Sequence, residues 1–192
     1  MAAELVGQLL GEYDIHEFLI DNVMILSDRA DQRSLKRHVA VHVVAPENRD
    51  EWNTALIRGA EIAANLEHPN IVPIIDYGID KGIDFVVVRL MEGGTLYRRL
   101  VEGPLETQAA VAVVRQIANA LDFIHSQGGC HGDPAGVNII FDRWGSAYIA
   151  DFYLLGHLET AEHAHPVGVP AYMSLERLLG MPPDALSDQY AL

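Results

Sequence analysis

Residues 130–152 read CHGDPAGVNIIFDRWGSAYIADF and include Asp133, Asn138 and Asp151, whose side chains carry carboxylate or amide oxygens. A carboxylate can accept a proton from a hydroxyl group, and carboxylate and amide oxygens are the ligands that Mg²⁺ prefers. Transfer of a phosphoryl group needs both of these functions. The stretch therefore predicts a site for phosphoryl transfer.

The composition narrows the classes of protein to consider. The chain has 192 residues, of which 49% are hydrophobic, so it can bury a core as one domain or as one domain with two lobes. Its 13 basic and 27 acidic side chains, with a net charge of -14, argue against a nucleic-acid partner. A single cysteine, Cys130, and the lack of an apolar leader predict the cytoplasm. No apolar run is long enough to cross a bilayer, so no membrane contact is predicted for this segment.

The first half of the chain is predicted to be mostly β-structure. Runs rich in β-branched residues predict strands at 13–19, 23–26 and 38–44. Between 50 and 67 the apolar residues recur at helical spacing, and Pro69 ends that pattern. Two more apolar runs, 71–77 and 84–90, predict a hairpin. Together these elements make a five-stranded antiparallel lobe with one helix.

The second half is predicted to be mainly helical. Glu92-Gly93-Gly94 marks a break, and helices are predicted at 96–101 and 105–126. The longer helix has apolar residues at spacings of three and four, which is typical of a core helix. We therefore divide the chain into an N-terminal lead at 1–12, a first lobe at 13–91 and a second lobe at 92–192.

Five separated stretches, in the same order along the chain, resemble a protein kinase domain of the bacterial Ser/Thr type. They are VAVH at 39–42, LEHPNIV at 66–72, MEGGTL at 91–96, HGDPAGVN at 131–138 with DF at 151–152, and GVPAYMSLE at 168–176. The resemblance implies a two-lobed α+β fold. It also implies an incomplete C-lobe, because residues 188–192 match only the start of the helix that anchors the catalytic loop in the family.

The same resemblance assigns roles to individual residues. Asp133 matches the catalytic aspartate that orients the substrate hydroxyl and accepts its proton. Asn138 and Asp151 match the ligands of Mg²⁺. The remaining matches are to positions that contact ATP in the family: Ala40, His42, Arg89, Met91 and Ile140.

The part of the family pattern that grips the phosphates is altered. Where the family has a glycine-rich loop, residues 20–25 read IDNVMI. His42 replaces the strand lysine, and Gly59 stands where the glutamate partner of that lysine is expected. Glu61 lies two residues further along the helix, which turns it about 200° away. Gly132, Ala135 and Tyr153 are further departures, at an arginine, a lysine and a glycine of the family.

These departures favour a pseudokinase that serves as a regulatory or interaction module and binds ATP weakly or not at all. One alternative is a low-activity Ser/Thr kinase, in which a nearby cation such as Lys36 or Arg37 replaces the lysine. Gly132 suggests a second alternative, a phosphotransferase of the aminoglycoside or choline type.

The partner is expected to be a protein of unknown identity. Glu176 pairs in the family with an arginine of the C-lobe part that is missing here, so a further region or a second copy is expected to cover the C-lobe surface.

Overall fold

The computed structural model describes residues 5–21, 25–44, 57, 59–61, 63–151 and 170–192. The chain forms two compact units. The first consists of Met1–Asn65 with Pro73–Leu90, and the second of Leu66–Val72 with Met91–Leu192. The boundaries drawn above at 12/13 and 91/92 stay predictions.

The first unit contains a six-stranded antiparallel sheet in the order β1-β2-β3-β4-β6-β5. Its strands are β1 (Leu9–Leu10), β2 (Tyr13–Asp21), β3 (Ile25–Gln32), β4 (Arg37–Val44), β5 (Ile74–Asp80) and β6 (Ile83–Arg89). The sequence predicted five of these strands, and the short β1 is the addition. Residues 57, 59–61 and 63 are helical, within the helix predicted at 50–67. Residues 50–56, 58 and 62 of that prediction lie outside the described residues.

The core of the first unit lies on one face of this sheet. Every second residue of β4, namely Val39, Val41 and Val43, is buried there together with Phe85 and Val87 of β6. This alternation is the period of two that a β-strand imposes on its side chains. The sheet therefore has an apolar inner face.

Hydrogen bonds join the first strands of the sheet to the β5–β6 hairpin. The Tyr13 hydroxyl donates to Asp76 Oδ2 at 2.7 Å, and the backbone N–H of Gly11 donates to Asp80 Oδ2 at 2.9 Å. Burial, together with the Asp76 carboxylate, raises the pKa of the Tyr13 hydroxyl, so it remains a neutral donor. The sheet is thus curled around its core, with its two edges tied together.

The second unit has four described α-helices, a short hairpin and a 3₁₀ turn at Pro170–Tyr172. Its elements are α1 (Leu96–Glu102), α2 (Thr107–Ser126), β7 (Ile139–Phe141), β8 (Ala147–Ile149), α3 (Leu175–Leu178) and α4 (Ala185–Ala191). The first two helices agree with the prediction to within two residues at each end. The β7–β8 hairpin was not predicted, because strands of three residues carry too little periodic pattern. No helix among the described residues is long and apolar enough to span a membrane.

The segment Leu66–Val72 belongs to the second unit because it pairs with β8. The N–H of Ile149 donates to the Asn70 carbonyl at 2.8 Å, and the N–H of Val72 donates to the Ile149 carbonyl at 2.9 Å. The Asn70 amide adds a bond of 2.8 Å to the Ala147 carbonyl. The strand predicted at 71–77 therefore begins later, at Ile74, since residues 71–72 pair with a different strand.

Gly93 lies where the chain passes directly against β7. The Gly93 N–H donates to the Phe141 carbonyl at 2.8 Å, and the Phe141 N–H donates to the Gly94 carbonyl at 2.9 Å. A Cβ atom on Gly93 would lie 2.4 Å from the Asp142 carbonyl oxygen. The Arg99 guanidinium covers the Phe141 ring at 3.4 Å from its centroid. Only glycine permits this close backbone approach.

We expect Gly93→Ala to destabilise the fold by at least about 2 kcal/mol, because the new methyl group meets backbone that cannot move aside. Urea unfolding followed by circular dichroism measures this loss. Gly129→Ala is the matched control, since the nearest atom to its Cβ is 3.5 Å away. Equal stability of the two variants would contradict the expectation.

Candidate active site

A buried carboxylate holds the start of the loop that contains Asp133. Asp188 is 0% exposed and lies on α4. Its Oδ2 accepts the backbone N–H of His131 at 2.7 Å, and its Oδ1 accepts that of Gly132 at 2.7 Å. The Nε2 atom of His125, on α2, lies 2.7 Å from the same Oδ2. One side chain therefore fixes two consecutive peptide groups and links them to a core helix.

The position of Asp188 depends on how α4 begins. Asp184 caps this helix, and its Oδ1 accepts the N–H groups of Leu186 and Ser187, both at 2.9 Å. Ser187 completes a capping box and donates its hydroxyl to Glu176 Oε1 at 2.6 Å. In this chain Ser187 is thus a partner of Glu176, the residue for which the family resemblance implied an arginine.

His131 connects the loop to the end of β8. The ring is fully buried; its Nδ1 accepts the backbone N–H of Asp133 at 3.1 Å, and its Nε2 lies 2.8 Å from the Ala150 carbonyl oxygen. A carbonyl can only accept, so the ring proton is on Nε2 and the neutral tautomer satisfies both partners. His131 therefore holds Asp133 in place through its backbone.

Asp133 and Asn138 are joined directly. The Asn138 amide nitrogen donates to the Asp133 carbonyl oxygen at 2.8 Å and to Asp133 Oδ2 at 3.1 Å. Both partners are acceptors, so the amide oxygen of Asn138 faces away from Asp133 and can serve another partner. The Asn138 N–H also donates to the Ala135 carbonyl at 2.8 Å. The residues predicted as base and metal ligand are thus adjacent.

Asp151 follows β8 at the same end of the hairpin as Asn138. The Ala150 N–H donates to the Asn138 carbonyl at 2.9 Å, which places the next residue, Asp151, close to that end. Its φ is +63°, a left-handed conformation that is uncommon for residues other than glycine. Such a conformation costs about 1 kcal/mol and is often found at functional sites.

Two of the residues predicted to contact ATP lie on β4 in the first unit. Ala40 and His42 are 6% and 7% exposed, and both lie on the opposite face of β4 from the core valines. Arg89 is the last residue of β6, while Met91 and Ile140 belong to the second unit. Their contact with nucleotide stays a prediction.

The altered phosphate-gripping region is described in part. Residues 22–24 of the IDNVMI stretch and Tyr153 lie outside the described residues. On the helical segment that follows β4, Gly59 is buried whereas Glu61 is exposed. This difference agrees with the expectation that Glu61 points away from the direction of Gly59.

Sequence reasoning did not name Asp188, Ser187 or His125 as parts of the site. It matched residues 188–192 to an anchoring helix, but it did not identify the side chain that does the anchoring. The bonds from Asp188 connect residues more than 50 positions apart. No local pattern in the sequence contains such a link.

This fold and this loop define a protein-kinase-like domain, and three comparisons agree. A family model described as "Protein kinase domain" matches residues 28–192. The serine/threonine-protein kinase PknD of Mycobacterium tuberculosis is 34% identical over 197 residues, covering 100% of this chain and 30% of PknD. PrkC of Bacillus subtilis, also a serine/threonine-protein kinase, is 30% identical over 195 residues, covering 98% of this chain and 30% of PrkC. The crystal structure of a double mutant of the M. tuberculosis PknI kinase domain has a TM-score of 0.79 at 24% identity, covering 96% of this chain and 73% of that one.

The chain belongs to the protein kinase family and is homologous to bacterial Ser/Thr kinases. The predicted family and the predicted fold class are therefore confirmed. The chain spans about 30% of the length of the two curated relatives named above. Those relatives imply the use of ATP and Mg²⁺ by an active member of the family.

We expect Asp188→Asn to destabilise the fold by about 3 kcal/mol or more, because an amide cannot accept from all three N–H groups that the carboxylate serves. Thermal and urea unfolding measure this loss. Asp184→Asn is the matched control on the same helix, since asparagine caps a helix as well as aspartate does. A loss no larger than that of the control would show that the carboxylate does not hold the loop.

Proposed function

We propose that this chain is a pseudokinase domain that acts as a regulatory or interaction module and binds ATP weakly or not at all. The observation that carries the proposal is the loss of the ion pair that grips the phosphates. His42 stands at the lysine position on β4, and a buried Gly59 stands where the glutamate is expected. Imidazole is shorter and less basic than a lysine side chain, and glycine has no side chain to offer.

The second unit retains groups that suit Mg²⁺. The amide oxygen of Asn138 and the carboxylate of Asp151 are hard oxygen donors of the kind this ion takes. The Asp133 carboxylate lies beside Asn138 and would accept the proton of a substrate hydroxyl. When bound, Mg²⁺ supplies positive charge against the phosphates. These residues fit the ion, although they do not replace the lost phosphate contacts.

A low-activity Ser/Thr kinase is the second candidate, and the bond between Asn138 and Asp133 favours it, because that bond holds the catalytic carboxylate in a defined position. The cations suggested as substitutes for the lysine do not support it. Arg37 begins β4 and donates to Gln32 Oε1 at 2.7 Å. It lies five residues from His42, or about 17 Å along an extended strand. Lys36 is one residue further away.

A phosphotransferase of the aminoglycoside or choline type gains no support from the comparisons. The family model that matches is that of protein kinases, and the relatives are named as protein kinases. Gly132 suggested this alternative. In the structure its backbone N–H donates to Asp188, so this contact is made by the backbone.

We expect millimolar Mg·ATP to raise the unfolding free energy by less than about 0.1 kcal/mol. This is the increase that a dissociation constant above about 10 mM would give. Thermal shift and isothermal titration calorimetry measure this. The double variant His42→Lys with Gly59→Glu is the positive comparison, and it should bind more tightly because it restores both members of the ion pair. Mg·ATP-dependent phosphorylation by the unaltered chain that disappears in Asp133→Asn would overturn the proposal in favour of the second candidate.

We also infer that a protein partner covers an apolar surface formed by α3, α4 and the connection between them. Its side chains are between 49% and 70% exposed: Leu175, Leu178, Leu179, Met181, Leu186 and Tyr190. Exposed apolar groups this close together are typical of interaction sites. The net charge of -14 favours a protein over nucleic acid as the partner, and the single cysteine favours the cytoplasm. The partner is a further region of the same protein or a second copy of this domain.

We expect the purified chain to self-associate as its concentration rises, and we expect Leu179→Glu to weaken that association, because a charge opposes burial of the surface. Light scattering after size-exclusion chromatography measures the mass. Val111→Glu, at another exposed apolar position on α2, is the control and should not change it. If the chain stays monomeric at all concentrations and also fails to bind an apolar dye, these residues do not form an interaction surface.

A further inference from the structure

The proposed function makes no use of Asp28, a buried acid in the middle of β3. Asp28 is 0% exposed, and neither of its carboxylate oxygens has a hydrogen-bond partner among the described residues. A buried carboxylate normally keeps hydrogen bonds or an opposite charge, because burial removes its water. Without either, the ionised form of Asp28 opposes folding.

Asp28 lies on the face of the sheet that holds the apolar core. Its direct cross-strand neighbours are Phe18 on β2 and Val41 on β4. Such neighbours share one face of a sheet. Val41 is part of the buried core, and so is Ala30, two residues further along β3, while Phe18 packs against it. The carboxyl group is therefore surrounded by hydrocarbon.

The polar groups of the neighbouring strands are engaged elsewhere. Glu17 of β2 and Arg29 of β3 are cross-strand neighbours and form an ion pair with an N–O distance of 3.9 Å. Because Arg29 follows Asp28 on the strand, this pair lies on the other face of the sheet. Tyr13 shares the core, but its hydroxyl donates to Asp76 at 2.7 Å. Among their described residues, neither β2 nor β3 offers Asp28 a hydrogen-bond partner.

On β4, His42 follows Val41 and therefore lies on the opposite face from Asp28. When it is protonated, its charge lowers the pKa of Asp28, but the effect of burial is larger and opposite. The net result is a pKa of Asp28 raised to about 6. A carboxyl group in this position changes its charge near neutral pH.

We propose that Asp28 makes strands β2, β3 and β4 respond to pH: the protonated acid lets them close on the core, and loss of the proton loosens them. Strand β4, which pairs with β3, also carries Ala40 and His42. The inference concerns the sheet alone, so it stands whether or not the domain binds nucleotide.

The direction of the effect follows from the two states of the acid. In the unfolded chain an aspartate has a pKa of about 3.9. In the folded chain the pKa of Asp28 is about 6, so between these values the folded state binds more protons than the unfolded state. Stability must then fall as pH rises through this window. The shift corresponds to an increase of about 100-fold in the unfolding equilibrium constant at higher pH.

Asp28→Asn tests the proposal, because the amide keeps the shape of the acid and cannot ionise. We expect it to have an unfolding constant about 5-fold lower than that of the unaltered chain near pH 4.5 and about 100-fold lower near pH 8. Urea unfolding across this pH range measures the difference. Amide hydrogen exchange, corrected for its intrinsic dependence on pH, should show slower exchange in β3 and β4 of the variant near pH 8.

Asp31→Asn is the control on the same strand. Asp31 is partly exposed, and a hydrogen bond with His38 lowers the pKa of its carboxyl, so its removal should destabilise the fold near neutral pH instead of stabilising it. Asp28→Val repeats the test without any polar group. Identical pH profiles for Asp28→Asn and the unaltered chain would overturn the proposal. So would lower stability of both Asp28 variants near pH 8.

Discussion

The buried carboxylate of Asp188 is the contact on which the candidate site depends. It accepts hydrogen bonds from the N–H groups of His131 and Gly132, and these two residues hold the rest of the loop in place. His131 accepts from the N–H of Asp133 and bonds the carbonyl of Ala150 at the end of β8. A helix near the end of the chain thus sets the geometry of a loop that precedes it by more than 50 residues.

This arrangement gives the residues retained from the family pattern a structural role as well as a possible catalytic one. Asn138 donates to the backbone carbonyl of Asp133 as well as to its side chain, so it stabilises the loop even if no metal binds. His131 and Asp188 are likewise fully buried structural links. Selection for folding alone would keep several of these residues. At two of the phosphate-gripping positions, those of His42 and Gly59, the family residues are absent.

The local sequence pattern predicted most of the elements, and its failures have physical causes. Strand β3 was predicted to end at residue 26 but continues to Gln32, because a charged residue, Asp28, occupies an inward position and hides the alternation. The β7–β8 hairpin was missed because each strand has three residues. Residues 71–72 were assigned to the wrong strand, since pairing with β8 is a long-range choice.

The sequence by itself determined the family, the two-part organisation and the identity of Asp133, Asn138 and Asp151 as candidate site residues, because these depend on residue types at short spacing. The tertiary structure alone decided how the loop is held, which partner Glu176 has, and that Asp28 is buried with no hydrogen-bond partner in the part of the chain that the structure describes. Those outcomes depend on contacts between residues that are distant along the chain. Burial and hydrogen bonding are properties of such contacts, and no local pattern records them.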